Sequence, residues 1–347
     1  MPTVTLDTPT GTVTFSYLIS TPAFSDAPCI DPALPTVVFL HPVYIGKIMY
    51  HCQFADRRTR RFNLIGLDLR CHAETIGGTG EGYGREVAAK DVALVMSTLQ
   101  IPRYHIFGMS MGGCVALQTA IVFPECVQSI FIVSPLPLIE TPAAAAGRAE
   151  IYELWAEGIT TGETLHPGSF LKTALDGTLQ LSVNNEPPEL YKAIFRKSME
   201  FVPQQIGTVE RLQDFRASTV DFFTNREPFS VDSFRVLAKA GCRVQLVYCA
   251  ADVAYDISST NEVAERLREA GVDVDVKQVE GAPHFGVVTH PEEVNTLFND
   301  FMLSVLDPAA PPPIPEHVES PFMARLESVG YNQDGTLDVE MWEGLGV

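Results

Sequence analysis

From Val4 to Leu18 apolar and polar positions alternate around Thr8-Pro9-Thr10-Gly11, a period of two that predicts an antiparallel hairpin. A loop follows from Thr21 to Pro35, broken by four prolines. Thr36-Val37-Val38-Phe39-Leu40 is apolar without alternation, the pattern of a strand covered on both faces. Residues 46 to 60 predict a helix of mixed polarity, and Phe62 to Leu69 a second buried strand. A glycine-rich loop, residues 77 to 84, leads into a helix from about Arg85 to Leu99. Tyr104 to Phe107 reads as a short strand, Cys114 to Phe123 as an apolar helix and Ser129 to Val133 as another strand. Strands alternating with helices predict an α/β fold with a parallel sheet covered on both sides.

The alternation stops at about Leu136. Up to Ala240 the pattern is helical, with Ala143 to Trp155, Pro188 to Phe201 and Gln204 to Phe223 as examples, and no convincing strand. It resumes with a strand over Val244 to Cys249, a helix over Ser258 to Ala270, a strand over Val274 to Val279 and a helix over Pro291 to Leu306. About 100 residues of helix are too long for a plain connection. Residues 1–136 and 241–306 are therefore assigned to the core and 137–240 to a helical cap over the sheet's carboxyl edge, where open α/β sheets bind ligands. Residues 307–347 form a Pro/Ala linker and an extension carrying eight acidic residues and one basic. A solvated tail is the expectation, although Phe322, Leu326, Tyr331 and Trp342 could dock it on the body. Asn332 to Glu340 faintly resembles a calcium loop, but Gly330 and Met341 stand where acidic ligands are needed.

Candidate chemistry centres on Gly108-Met109-Ser110-Met111-Gly112-Gly113, between the strand ending at Phe107 and the following helix. A tight strand-to-helix turn with Ser at its apex is the context of a nucleophile elbow. The turn strains Ser110, while Gly108 and Gly112 let strand and helix approach. A Ser hydroxyl needs a base, and the base an orienting group. His284, in Gly281-Ala282-Pro283-His284-Phe285-Gly286 between the last strand and last helix, is the best base. The acid should follow the strand ending at Cys249. Asp252 does; Asp256, a potential helix cap, and Glu140 are the alternatives. Two backbone N–H donors should face the developing oxyanion. Met111 follows the nucleophile, and Val43 is the first residue with an N–H after Pro42 in the loop beyond Leu40. Tyr44, Met109 and Phe285 are candidates for the substrate pocket. Lys47 and Arg70 are the nearest basic residues in sequence and are expected on the surface, so no Arg or Lys is expected at the pocket.

Composition narrows the function classes. The 347 residues are 46% hydrophobic and carry a net charge of −19, which argues against nucleic acid or an anionic membrane as partner. No stretch approaches about 18 uninterrupted apolar residues, and Met1 to Gly11 lacks a basic segment followed by an apolar one. The seven scattered cysteines read as reduced thiols, not as a disulfide framework or zinc site. A cytoplasmic enzyme with no metal and no cofactor is the expectation, and the oligomeric state stays open.

Together these residues resemble the α/β-hydrolase superfamily over residues 36 to about 306. The resemblance rests on Gly-Met-Ser-Met-Gly-Gly, on Asp68-Leu69-Arg70 with Glu74-Thr75, on Asp252 and on Gly281-Ala282-Pro283-His284. His41-Pro42 stands where the family usually has His-Gly and resembles enol-lactonase-type members; Cys71 and Ala73 stand where Gly is usual. The resemblance implies an α/β-hydrolase fold and a serine hydrolase cleaving an ester or lactone of a small, largely apolar molecule. C–C bond hydrolysis of a β-diketone on the same triad, and a receptor-like binder with slow turnover, are the alternatives.

Overall fold

The computed structural model describes residues 1–306 and 311–338. Eight strands form one sheet in the order β1-β2-β4-β3-β5-β6-β7-β8. β1 (Thr3–Thr8) and β2 (Gly11–Ser20) make the hairpin, and β2 pairs antiparallel with β4 (Asn63–Leu67). β3 (Thr36–Leu40), β4, β5 (Tyr104–Met109), β6 (Val127–Val133), β7 (Arg243–Cys249) and β8 (Val274–Val279) run parallel. Every residue of β3, β4 and β5 is buried, as their unbroken apolar runs require.

Helices cover both faces. α1 (Arg85–Thr98) and α2 (Met111–Val122) pack on the side carrying Val38, Leu40, Ile65, Ile106 and Ile132. The other side is aromatic: Phe39 stacks on Phe107 at 4.8 Å, and Phe298 meets Phe39, Phe107 and Phe131. From β3 the chain moves outward to β4 and then returns to β5 on β3's other flank. That reversal opens a crevice at the carboxyl ends of β3 and β5, where Val43 and Ser110 lie.

Between β6 and β7 the chain is helical: α3 (Pro142–Thr161), α4 (Phe170–Val183), α5 (Glu189–Met199), several short turns, and α6 (Val231–Ala240). α4, capped by Ser169, is not singled out by the sequence pattern. α6 departs from the others, because its Phe234 and Leu237 join the core cluster on the sheet. The run from Gln204 to Phe223 is not one helix: it breaks near Gly207 and contains a π-helical stretch, Ala217–Asp221. The expected helix over 46–60 is likewise broken into Lys47–Tyr50, His51–Ala55 and Thr59–Arg61, and Asp68 accepts from the Lys47 N–H at 2.7 Å at the start of the first turn. α7 (Ile257–Glu269) and α8 (Pro291–Val305) complete the layers.

Two expectations are corrected here. Residues 311–338 are not a solvated tail. Phe322, Leu326, Val329 and Leu337 are buried in the aromatic side's cluster, and Phe322 meets Phe54 edge-on at 5.3 Å. A short helix, Met323–Glu327, brings its apolar positions to one face, and Arg325 pairs with Glu74 at 2.8 Å. Trp342 and the end of the calcium-like stretch lie outside the described residues. Lys47 and Arg70 are also not on the surface. Lys47 Nζ lies 2.5 Å from Asp68 and 3.1 Å from Glu74, and Arg70 grips both oxygens of Asp91. Each is buried because a carboxylate is buried with it.

Candidate active site

Ser110 closes β5 and caps α2, with φ 50° and ψ −114°, a strained conformation for a residue with a side chain. Glycine on either side is a steric necessity. A Cβ at Gly112 would come within 1.9 Å of the Leu40 carbonyl oxygen, and one at Gly108 within 2.6 Å of the Gly112 oxygen. The Ser110 N–H is tied to the Val133 carbonyl at 3.0 Å. Its Oγ is buried and has no hydrogen-bond partner among the described residues.

Ser110 and His284 line one small pocket, with Val43, Tyr44, Arg148, Ser182, Tyr255 and Phe285 around them. Behind it, His284 Nδ1 lies 2.5 Å from Asp252 Oδ2. The other oxygen, Asp252 Oδ1, accepts from the Ala254 and Tyr255 N–H groups at 2.8 and 3.2 Å, which fixes the carboxylate. The His284 loop is held from two sides: Ser134 Oγ donates to the His284 carbonyl at 2.6 Å, and the Phe285 N–H to the Ser182 carbonyl at 2.9 Å. Met111 is the first residue of α2. Neither its N–H nor that of Val43 donates to another described residue.

Of the two alternative acids, Asp256 is exposed and caps α7 through the Ser258 N–H. Glu140 is buried beside the pocket: Tyr255 donates to its Oε1 at 2.8 Å, and Arg148 lies 3.4 Å from Oε2. Met109 does not reach the pocket. It follows Phe107 on the same face of β5 and packs into the aromatic cluster, because alternate residues of a strand share a face.

Tyr44 belongs to two spaces. Besides the small pocket it lines an apolar cavity of about 670 Å³, counted to its open mouth, with His72, Ile151, Trp155, Leu175, Phe195 and Phe215. Its φ of 73° is unusual for a large side chain. Burial raises the Tyr44 pKa, and the neighbouring Arg148 works against that rise through its charge and through its N–H groups close to the hydroxyl. Cys71 and Ala73, at φ 59° and 44°, adopt the left-handed backbone for which glycine is usual.

Sequence reasoning missed Arg148, Tyr255 and Ser134. Arg148 corrects the expectation that no basic residue reaches the pocket. It sits on α3, some forty residues from any motif, and only the packing of α3 over the sheet edge brings it to Ser110. Among the described residues no group of three or more His, Cys, Asp or Glu could hold a metal ion, and no helix is long and apolar enough to cross a membrane.

Similar proteins agree with this architecture. The AB hydrolase superfamily protein YisY of Bacillus subtilis is 34% identical over 82 residues, which is 24% of this chain and 30% of that protein's length. A carboxylesterase structure from the thaumarchaeon Nitrososphaera gargenis superposes with a TM-score of 0.63 at 20% identity, covering 87% of this chain and 98% of the other. Est816, an N-acyl homoserine lactone degrading enzyme, superposes at 0.61 and 19% identity over 86% of this chain and 100% of its own. The sequence pattern of the alpha/beta hydrolase fold matches residues 35–217, more than half of the chain, and the protein belongs to that family.

Proposed function

We propose that the protein is a carboxylic ester hydrolase with Ser110 as nucleophile, His284 as base and Asp252 as the group that orients it. The observation that carries this reading is a strained, partnerless Ser110 hydroxyl in the same pocket as an imidazole whose other nitrogen is held by a fixed carboxylate. Ser110 Oγ attacks the ester carbonyl as its proton passes to His284 Nε2. The Val43 and Met111 N–H groups receive the oxyanion. Collapse expels the alcohol, which takes the proton from His284, and water then cleaves the acyl-enzyme by the same route. A lactone reacts identically and yields one hydroxy acid. The apolar cavity beyond Tyr44 suits the hydrophobic body of such a substrate.

A fluorophosphonate probe tests the assignment. It should label the wild-type protein, and Ser110→Ala should abolish labelling and lower turnover by several orders of magnitude with the fold intact. Labelling of the Ala variant at the wild-type rate would refute it.

Arg148 favours a second reading, hydrolysis of a C–C bond in a β-diketone, because that chemistry calls for a basic group to hold a second oxygen. Matched lactone and β-diketone substrates separate the two. A kcat/KM for the diketone well above that of any ester or lactone would replace ester cleavage as the function.

A further inference from the structure

Arg148 enters the pocket from α3 with its guanidinium over the Phe223 ring, 3.5 Å from the centroid. Its Nη2 donates to the Tyr255 oxygen at 3.0 Å, and Tyr255 in turn donates to Glu140. These contacts fix the guanidinium but do not saturate it. Arg148 Nη1 and the Tyr44 hydroxyl on the same pocket wall are each buried with no well-formed hydrogen bond to a described residue, and they lie near enough to each other for Arg148 to act on the Tyr44 hydroxyl, so one anion can meet both. The surrounding charge is not balanced either. Arg226, also buried, approaches the same Glu140 oxygen at 3.8 Å, so two guanidiniums face one carboxylate. Asp252 is the other nearby anion, and both its oxygens are already engaged by His284 and two backbone N–H groups. A buried cation with an idle donor is costly unless something negative meets it.

We propose that Arg148 and Tyr44 form a carboxylate-binding subsite beside the nucleophile, so that the preferred substrate is an ester or lactone bearing a second, anionic carboxylate. The proposal rests on the ester-hydrolase reading and adds the substrate class. The carboxylate takes Arg148 Nη1 and the Tyr44 hydroxyl, the scissile carbonyl sits at Ser110, and the apolar remainder occupies the cavity past Tyr44. A carboxylate fits better than a neutral carbonyl because it supplies the charge that the two guanidiniums lack. The subsite is assembled from α3, the loop after β3 and the loop after β7, so only the closed tertiary structure creates it.

The test compares kcat/KM for mono-4-nitrophenyl succinate and glutarate, and for 4-carboxyphenyl butyrate, with that for neutral 4-nitrophenyl butyrate. The wild type should favour at least one carboxylate ester by more than about tenfold. In Arg148→Gln the charged-to-neutral ratio should fall about a hundredfold, in Arg148→Lys it should fall less, and in Tyr44→Phe it should fall severalfold. Glutarate should also slow fluorophosphonate labelling of the wild type where pentanamide at equal concentration does not, a readout that needs no variant to fold. Equal rates on charged and neutral esters, with normal labelling of Ser110, would overturn the subsite and leave the ester-hydrolase reading standing. Loss of labelling and of all ester turnover in the wild type would overturn both.

Discussion

At the residue scale the proposed chemistry depends on groups with no spare freedom. Asp252 spends one oxygen on two backbone N–H groups and offers the other to His284, so the imidazole has one orientation and one tautomer. Asp256 binds only its own helix, and Glu140 is committed to Tyr255 and Arg148. Asp252→Asn should therefore lower kcat by about 10⁴, as in a well-studied triad, while Asp256→Asn costs little. Glu140→Gln should sit between, because it releases Arg148 without touching His284. Esterase rates of the three variants check this order, and a larger loss in Asp256→Asn would reverse the assignment. Ser110, His284 and Asp252 were legible in the sequence because each is marked locally: a glycine-flanked turn, a loop after a strand, an acid after a strand. Arg148 and Ser134 carry no such mark. Their roles arise from contacts with residues far away in the chain, which no spacing encodes. Met109 shows the opposite failure, since adjacency to Ser110 suggests the pocket and strand alternation denies it.

At the element scale, the central strands follow from uninterrupted apolar runs and the hairpin from alternation, and the expected bounds of the strands and of the helices flanking the sheet fall within a few residues of those observed. The helices between β6 and β7 were less legible. Their order depends on breaks such as Gly207 and on a π-helical turn at Ala217–Asp221, and such local departures arise from packing more than from composition. α6 shows why a boundary drawn from sequence slips: it is as helical as its neighbours, yet its apolar face is spent on the core, against α2 and α7. α4 meets the loops that carry Asp252 and His284 directly. Its end places the Ser182 carbonyl against the Phe285 N–H and Asn184 against the Ala251 carbonyl at 2.8 Å. α3 and α5 wall the apolar cavity through Ile151, Trp155 and Phe195. If that cavity holds the substrate's hydrophobic body, these walls set chain-length preference. Ile151→Ala should raise kcat/KM for octanoate over butyrate esters about tenfold while fluorophosphonate labelling of Ser110 persists. An unchanged ratio would mean that the substrate does not enter this cavity.

At the scale of the whole molecule, residues 311–338 bind the fold together. They return across the aromatic side of the core, where Arg60 donates to the Glu319 carbonyl at 3.0 Å and Arg325 reaches Glu74. Glu74 also meets Lys47, which pairs in turn with the buried Asp68, so the segment extends an ion cluster that begins at the carboxyl end of β4. Composition alone pointed the other way, because an acidic, proline-led extension reads as solvated until a few apolar residues find a groove. Phe322→Ala should cost about 3–5 kcal/mol in urea unfolding, as for a buried aromatic anywhere in the core. A cost near zero would make the segment an appendage. Acid should weaken the molecule for a separate reason. His41 accepts from the Leu69 N–H at 2.9 Å and keeps Nδ1 on the Pro42 carbonyl at 2.7 Å, which is a neutral ring's arrangement. Burial pushes its pKa down to about 4, helped by Lys47, and burial with the neighbouring His41 pushes His72 to about 3. The unfolded chain binds these protons near pH 6.5 and the folded one cannot, so stability falls as pH drops from about 6.5 toward 4. Each unit of that window is worth about 1.4 kcal/mol per histidine. Glu74 and Asp214, whose folded pKa values are lowered despite burial, add their loss only as pH falls from the ordinary carboxylate range downward, well under the histidine window. Relief of the −19 charge also waits for carboxylates to titrate. The interval from pH 6.5 to 5 therefore reports on the buried histidines, and burial also pushes His51 and His105 down to about 4, so they add to the same fall. Urea midpoints should fall across it while the His41 and His72 ring resonances stay at their neutral shifts; a flat midpoint, or rings that titrate near 6.5 in the folded protein, would overturn the prediction.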